Sequence, residues 1–142
     1  MPAAESHHRS ETADALSVGR LREEFGRWLR QFGLATYRHN DLVLAVNEAL
    51  ANTAEFAYRH QREPGSVTLT AACDPTNGSL AVTVTDEGAW REPTDAGNPQ
   101  LRGRGIPLME ALADEVVIDC SAHGTTVRMR FDRIGDLSSA LA

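Results

Sequence analysis

The apolar residues of this chain change from helical to alternating spacing at Pro64-Gly65, and that change constrains the fold more than any other feature. Upstream, Val18, Leu21, Phe25, Trp28 and Phe32 alternate steps of three and four, with Arg20, Glu23, Glu24 and Arg27 between them. That spacing predicts an amphipathic helix over 13–33, closed by Gly33 as a left-handed cap. A second helix, capped by Asn40 or Asp41, carries Leu42, Ala45, Val46, Ala49, Leu50, Thr53 and Ala57 in one stripe and runs to about Arg59. Downstream the period falls to two. Val67, Leu69 and Ala71 alternate across 66–72 and Leu80, Val82 and Val84 across 80–85, with a hairpin turn at Asp74-Pro-Thr-Asn-Gly78 between them. A loop spans 91–102, a helix 106–113, a strand 115–120, a turn His123-Gly124 and a last strand 126–131. Two helices, two strands, a loop, a helix and two strands predict an antiparallel-rich sheet covered on one face by helices.

With 142 residues the chain has room for one domain, assigned here to 13–132 between polar tails at 1–12 and 133–142. The adjacent His7 and His8 read as part of the solvated first tail. A net charge of -6 and a pI near 5.3 argue against nucleic acid as the main partner, because phosphate binding needs clustered basic charge. Cys73 and Cys120 are too few for a disulfide framework and too far apart for a zinc knuckle, which favours reduced thiols. No apolar run approaches the roughly 20 residues of a membrane span, and the first residues lack the apolar core of a signal peptide. The expected location is the cytoplasm, with no membrane contact.

Four short segments carry chemistry. Glu48 and Asn52 are four residues apart and share a helix face away from the core stripe. A carboxylate and an amide oxygen at that spacing suit magnesium, which prefers hard oxygen ligands, and a carboxylate can also take a proton from an attacking hydroxyl. Asp86 ends an apolar strand and precedes Glu87-Gly88, where a glycine lets a ligand approach the backbone. Gly103-Arg104-Gly105 opens a helix, so its amides and the helix dipole can hold phosphate oxygens, with Arg102 and Arg104 adding charge. Gly124-Thr125-Thr126-Val127 enters the last strand. Each segment alone is matched as well by a solvated face, a strand-ending turn or a helix-opening turn. The Gly103 segment is neither a Walker loop nor a dinucleotide fingerprint.

In this order the segments resemble the N box and glycine boxes of the GHKL ATP-binding superfamily. More narrowly, residues 14 to 131 resemble the bacterial anti-sigma factor serine/threonine kinases. The resemblance rests on Leu44-Ala-Val-Asn-Glu48-Ala-Leu-Ala-Asn52, Asp86-Glu-Gly-Ala-Trp90-Arg91 and Gly103-Arg-Gly-Ile-Pro-Leu-Met109. It implies a two-layer α/β sandwich of the Bergerat type, a mixed and mainly antiparallel sheet covered on one face by helices, with ATP between the sheet, the second helix and a lid. By the same resemblance Asp86 accepts from the adenine amino group, Gly88 admits the base, and Asn52 coordinates Mg2+. Arg102, Gly103, Arg104, Gly105 and Ile106 belong to the cofactor contacts, and Thr125 supports the adenine, with neighbouring Thr126 an alternative in register. Glu48 becomes the general base toward a partner's serine or threonine.

The implied partners are a sigma factor and a STAS-type antagonist, with a homodimer inferred from the family. An inactive nucleotide-binding regulator that sequesters a protein partner is the alternative function. Two departures stand out. Phe56-Ala57-Tyr58 replaces the family's frequent histidine before Ala-Tyr, and the polar run Glu5–Thr12 gives no sign of the family's first edge strand.

Overall fold

The computed structural model describes residues 6–58, 62–63, 65–74, 76, 78–88, 105–121 and 123–134. Its elements are β1 (Ser6–Thr12), α1 (Ala15–Leu29), a 3-10 turn (Arg30–Phe32), α2 (Thr36–Asn52), a π-helical turn (Thr53–Ala57), β2 (Ser66–Asp74), β3 (Ser79–Asp86), α3 (Gly105–Leu112), β4 (Glu115–Ser121) and β5 (Gly124–Phe131). The strands form one sheet in the order β1-β2-β3-β5-β4, and every pairing is antiparallel.

The period-two pattern decides which face of the sheet is buried. Leu80, Val82, Val84 and Asp86 on β3 lie directly across from Phe131, Met129, Val127 and Thr125 on β5, and all eight are buried. Val67, Leu69 and Ala71 extend this inward surface onto β2. Against it pack Leu21, Phe25 and Leu29 of α1, Leu42, Val46 and Leu50 of α2, and Ile106 and Met109 of α3. The opposite face is polar, with ion pairs such as Arg128 to Asp119 at 2.8 Å and Arg130 to Glu115 at 2.9 Å. The expected α/β sandwich with helices on one face is therefore observed.

Asp14 caps α1 by accepting the Ser17 backbone N–H at 2.8 Å, and Gly33 adopts φ 65° after the 3-10 turn, the left-handed position read from the sequence. Two expectations need correction. α2 begins at Thr36, not at Asn40 or Asp41, and Ala35 precedes it with no side-chain cap. Its first turn is instead held by Arg38, whose guanidinium donates to the Asp132 carbonyl at 2.8 Å, a contact between residues 94 apart that no local signal announces.

The second correction concerns the first tail, because residues 6–12 form the edge strand β1, paired with β2 from Ser6 opposite Ala72 to Thr12 opposite Ser66. Its polar side chains find partners on both faces. Toward α1, His7 lies against Trp28 with ring centroids 5.7 Å apart, Arg9 pairs with Glu24 at 3.5 Å and Glu11 with Arg20 at 3.3 Å. On the other face His8 meets Thr70 at 3.1 Å and Ser10 meets Thr68 at 2.8 Å. A strand that carries charges along an exposed edge has a known advantage, since such edges resist pairing with other chains.

Candidate functional site

The inward row of β3 is apolar until its last residue. Asp86 is 4% exposed, flanked by buried Val67 on β2 and by buried Thr125 on β5. Placing a carboxylate there is costly unless it is hydrogen-bonded, and the structure supplies two donors. The Gly88 backbone N–H donates to Oδ1 at 3.0 Å and the Thr53 hydroxyl lies 3.3 Å from Oδ2. A carboxylate offers about four lone-pair directions, more than these two donors use. Thr125, not Thr126, shares the inward row with Asp86; Thr126 falls on the opposite face because successive strand residues alternate.

The loop after β3 is pinned to the end of α2. The Tyr58 hydroxyl donates to the Ser66 carbonyl at 2.6 Å and accepts the Glu87 backbone N–H at 2.9 Å, tying the helix end to both strands beside Asp86. Burial pushes the Tyr58 phenol above its usual 10.0, although the Glu87 N–H acts in the other direction. The π-helical turn Thr53–Ala57 widens the last turn of this helix, a distortion that recurs at functional sites. It brings the Ala57 carbonyl against Gly88 so closely that a Cβ at position 88 would collide with that oxygen and lie 2.6 Å from the carbonyl carbon. Gly124 meets the same limit on the other side, where a Cβ would strike the Asp86 carbonyl oxygen. Both glycines are required by close backbone approach around Asp86.

Glu48 and Asn52 follow each other by one turn on α2, just before the π-helical turn. Glu48 is half-buried and Asn52 is 8% exposed, and neither side chain has a hydrogen bond or ion pair among the described residues. Gly105 opens α3, which packs on α2, and Ile106 is buried in the core at 3% exposure. The structure thus brings Asn52, Asp86, Gly88 and Thr125 to one end of the sheet and α2, with Glu48 one turn along. Arg102, Gly103, Arg104, Trp90, Arg91 and the rest of the expected lid at 91–102 lie outside the described residues.

Three participants were missed by sequence reasoning. Thr53 lies in the predicted core stripe, Tyr58 enters only through a departure, and Gly124 belongs to the fourth segment without a role of its own. Thr53 and Tyr58 act on residues 33 and 29 positions away, so no local spacing marks them.

The donor set fits the expected cofactors. A buried carboxylate beside a threonine hydroxyl suits an exocyclic amine, while the Asn52 amide oxygen suits a hard divalent cation and the Glu48 carboxylate such a cation or a proton. Among the described residues no group of three or more His, Cys, Asp or Glu could hold a metal unaided, so a cation would draw its remaining ligands from phosphate and water.

Comparison with known proteins agrees. One solved structure similar to this chain is that of the RsbU and RsbW domains of Rv1364c from Mycobacterium tuberculosis, at 24% identity and a TM-score of 0.72 over 93% of this chain. Another is the histidine kinase domain from the Erythrobacter litoralis EL346 blue-light activated histidine kinase, at 17% identity and a TM-score of 0.55 over 86% of this chain. The chain spans 32% of the length of the first and 64% of the second, and at these identities the likeness concerns the fold. The family model of the histidine kinase-like ATPase domain matches residues 12–131, which include all four site segments. The chain belongs to the histidine kinase-like ATPase domain family.

Proposed function

We propose that this chain is an ATP-dependent protein serine/threonine kinase that acts as an anti-sigma factor, holding a sigma factor and phosphorylating a STAS-type antagonist. Family membership implies ATP binding, typically with Mg2+. The observation that carries the finer reading is Glu48, a carboxylate with no ion pair among the described residues, one helical turn before Asn52. The likeness to the RsbU and RsbW domains of Rv1364c supports it.

In this reading Asp86 and Thr125 hold the adenine edge, Gly88 leaves the base room, and Asn52 offers its amide oxygen to Mg2+. Gly105, with Arg102, Gly103, Arg104 and Ile106, belongs to the cofactor side of the site. Bound ATP supplies the γ-phosphoryl group, and Mg2+ offsets the charge on its oxygens. Glu48 takes the proton of the partner's hydroxyl as that oxygen bonds to the γ-phosphorus and the bond to the bridging oxygen of ADP breaks. The domain assignment that goes with this reading runs from about residue 13 to 132, now with β1 added at its start.

The test is Glu48→Ala assayed against a STAS-domain antagonist. Nucleotide affinity should stay within about twofold while transfer falls by roughly 10²–10⁴, the usual contribution of a positioned base. Undiminished transfer would remove Glu48 from the role. A second reading, a nucleotide-binding regulator without transfer activity, is favoured by Phe56 at the family's histidine position. A phosphorylated antagonist in the same assay would eliminate it, and a turnover of ATP without any partner would favour a simple ATPase.

A further inference from the structure

Away from the Asp86 rim, α1 and α2 leave a groove along their outer seam that changes character halfway. One half encloses about 350 Å³ and is floored by small residues, Ala15, Gly19, Ala51 and Ala54, with Glu55 at its margin. The other half encloses about 390 Å³ and is lined by Arg27, Arg30 and His39, with Glu23 beside them. Arg22 borders both halves, so the two run end to end.

Two features of this seam are not explained by the fold. The first is charge. Arg9, Arg20, Arg38, Arg128 and Arg130 each pair with a carboxylate, whereas Arg22, Arg27 and Arg30 make no ion pair among the described residues. Arg22 reaches only the Asn47 amide oxygen, at 3.5 Å. Helix-dipole complementarity accounts for cations at the end of α1, but Arg22 stands in its middle. In a chain of net charge -6, three arginines on one seam with Glu23 beside them form a locally basic stretch.

The second feature is Gly19, in the interior of α1, where a Cβ would have no atom within 4 Å. Glycine there costs about 1 kcal/mol of helix propensity relative to alanine, and no packing within the described chain requires it. What it leaves is bare backbone open to close approach from outside. Leu16, one turn earlier, is 74% exposed.

We infer that the outer α1–α2 seam docks a helical segment of a partner protein, apolar with small side chains at one end and acidic at the other. From Ala15 to Arg30 the seam runs about 22 Å, which a helix of roughly 15 residues spans. A nucleic acid gains nothing from the apolar half and is repelled by the net charge. A second copy of this chain laid seam to seam about a two-fold axis through its middle would set Arg22 against Arg22. The inference does not rest on transfer activity, and an inactive regulator would use the groove equally.

The experiment uses the full chain without nucleotide and fluorescently labelled helical peptides of about 15 residues. They carry alanine and leucine on one face of one half and glutamates in the other, made in both polarities. Fluorescence anisotropy should give saturable binding for one polarity, with a lysine-for-glutamate peptide at least about tenfold weaker. Arg27→Glu with Arg30→Glu should weaken binding about tenfold, and so should Gly19→Leu, whose Cβ has no protein atom within 4 Å. Melting curves and ATP titration of the variants report whether the fold and the Asp86 site stay intact. Absence of saturation, equal binding of the lysine peptide, unchanged affinity in all variants, or tighter binding of polyuridylate would each overturn the inference. Because no ATP is present, its failure is separable from failure of the kinase reading.

Discussion

Replacing Tyr58 by phenylalanine isolates the clamp that holds the Asp86 rim, because it removes one oxygen and leaves the ring in place. The hydroxyl makes two hydrogen bonds, to the Ser66 carbonyl at 2.6 Å and from the Glu87 N–H at 2.9 Å. Each contributes about 0.5–1.5 kcal/mol net, and a donor stranded without an acceptor adds more. Tyr58 is 7% exposed, so the Glu87 N–H gains little from water in exchange, and the sum is about 2–3 kcal/mol. No cavity term arises, since the ring still fills its space. For a domain of this size each kcal/mol moves Tm by about 3 °C, so differential scanning calorimetry should give a fall of about 6–9 °C.

The same variant has an alkaline signature. Burial raises the Tyr58 phenol in the folded state, so the stability it contributes is complete below the unfolded value of about 10 and is lost as pH rises through the higher folded value. Tyr58→Phe should therefore flatten the loss of stability above about pH 10. A fall in Tm below about 1 °C together with an unchanged alkaline profile would refute the clamp.

Other consequences follow from the same geometry. Gly88→Ala drives a methyl into the Ala57 carbonyl and should cost about 1–3 kcal/mol in thermal melts while abolishing calorimetric ATP binding; normal binding would show that the loop can retreat without effect. Asp86→Ala should remove detectable heat of ATP binding yet leave a cooperative melt, and retained affinity would move the adenine contact elsewhere. Burial, then the charge of Arg9, holds the His7 imidazole below its usual 6.5, with Glu24 opposing. A depressed histidine contributes stability that is present above about 6.5 and lost as pH falls through the folded value, so the wild type should lose Tm between pH 7 and 5 more steeply than His7→Phe. Equal slopes would mean that the ring is already solvated.

Much of the fold was legible because its helices and inner strands obey their own periods. The steps of three and four in α1, the alternation in β2, β3 and β5, and Gly33 as a left-handed stop all express backbone geometry that acts within a few residues. β1 was invisible for the same reason. It buries no apolar row, and its strand state depends on pairing with β2, about 60 residues away, and on Trp28, Glu24 and Arg20 of α1. The start of α2 was misread because Arg38 draws its first turn toward Asp132 without a cap residue.

The candidate site divides along the same line. Sequence alone set the order Glu48, Asn52, Asp86, Gly88, Gly105 and Thr125, and hence the family, because residue types and short spacings carry that chemistry. Only the tertiary structure decided that Thr125 and not Thr126 faces Asp86, that Thr53 and Gly88 hold its carboxylate, and that Tyr58 and Gly124 close around it. Apart from the local Gly88 bond, these contacts join the end of the second helix, β3 and β5 across 29 or more residues, and their geometry comes from strand register and helix packing, which no local spacing encodes.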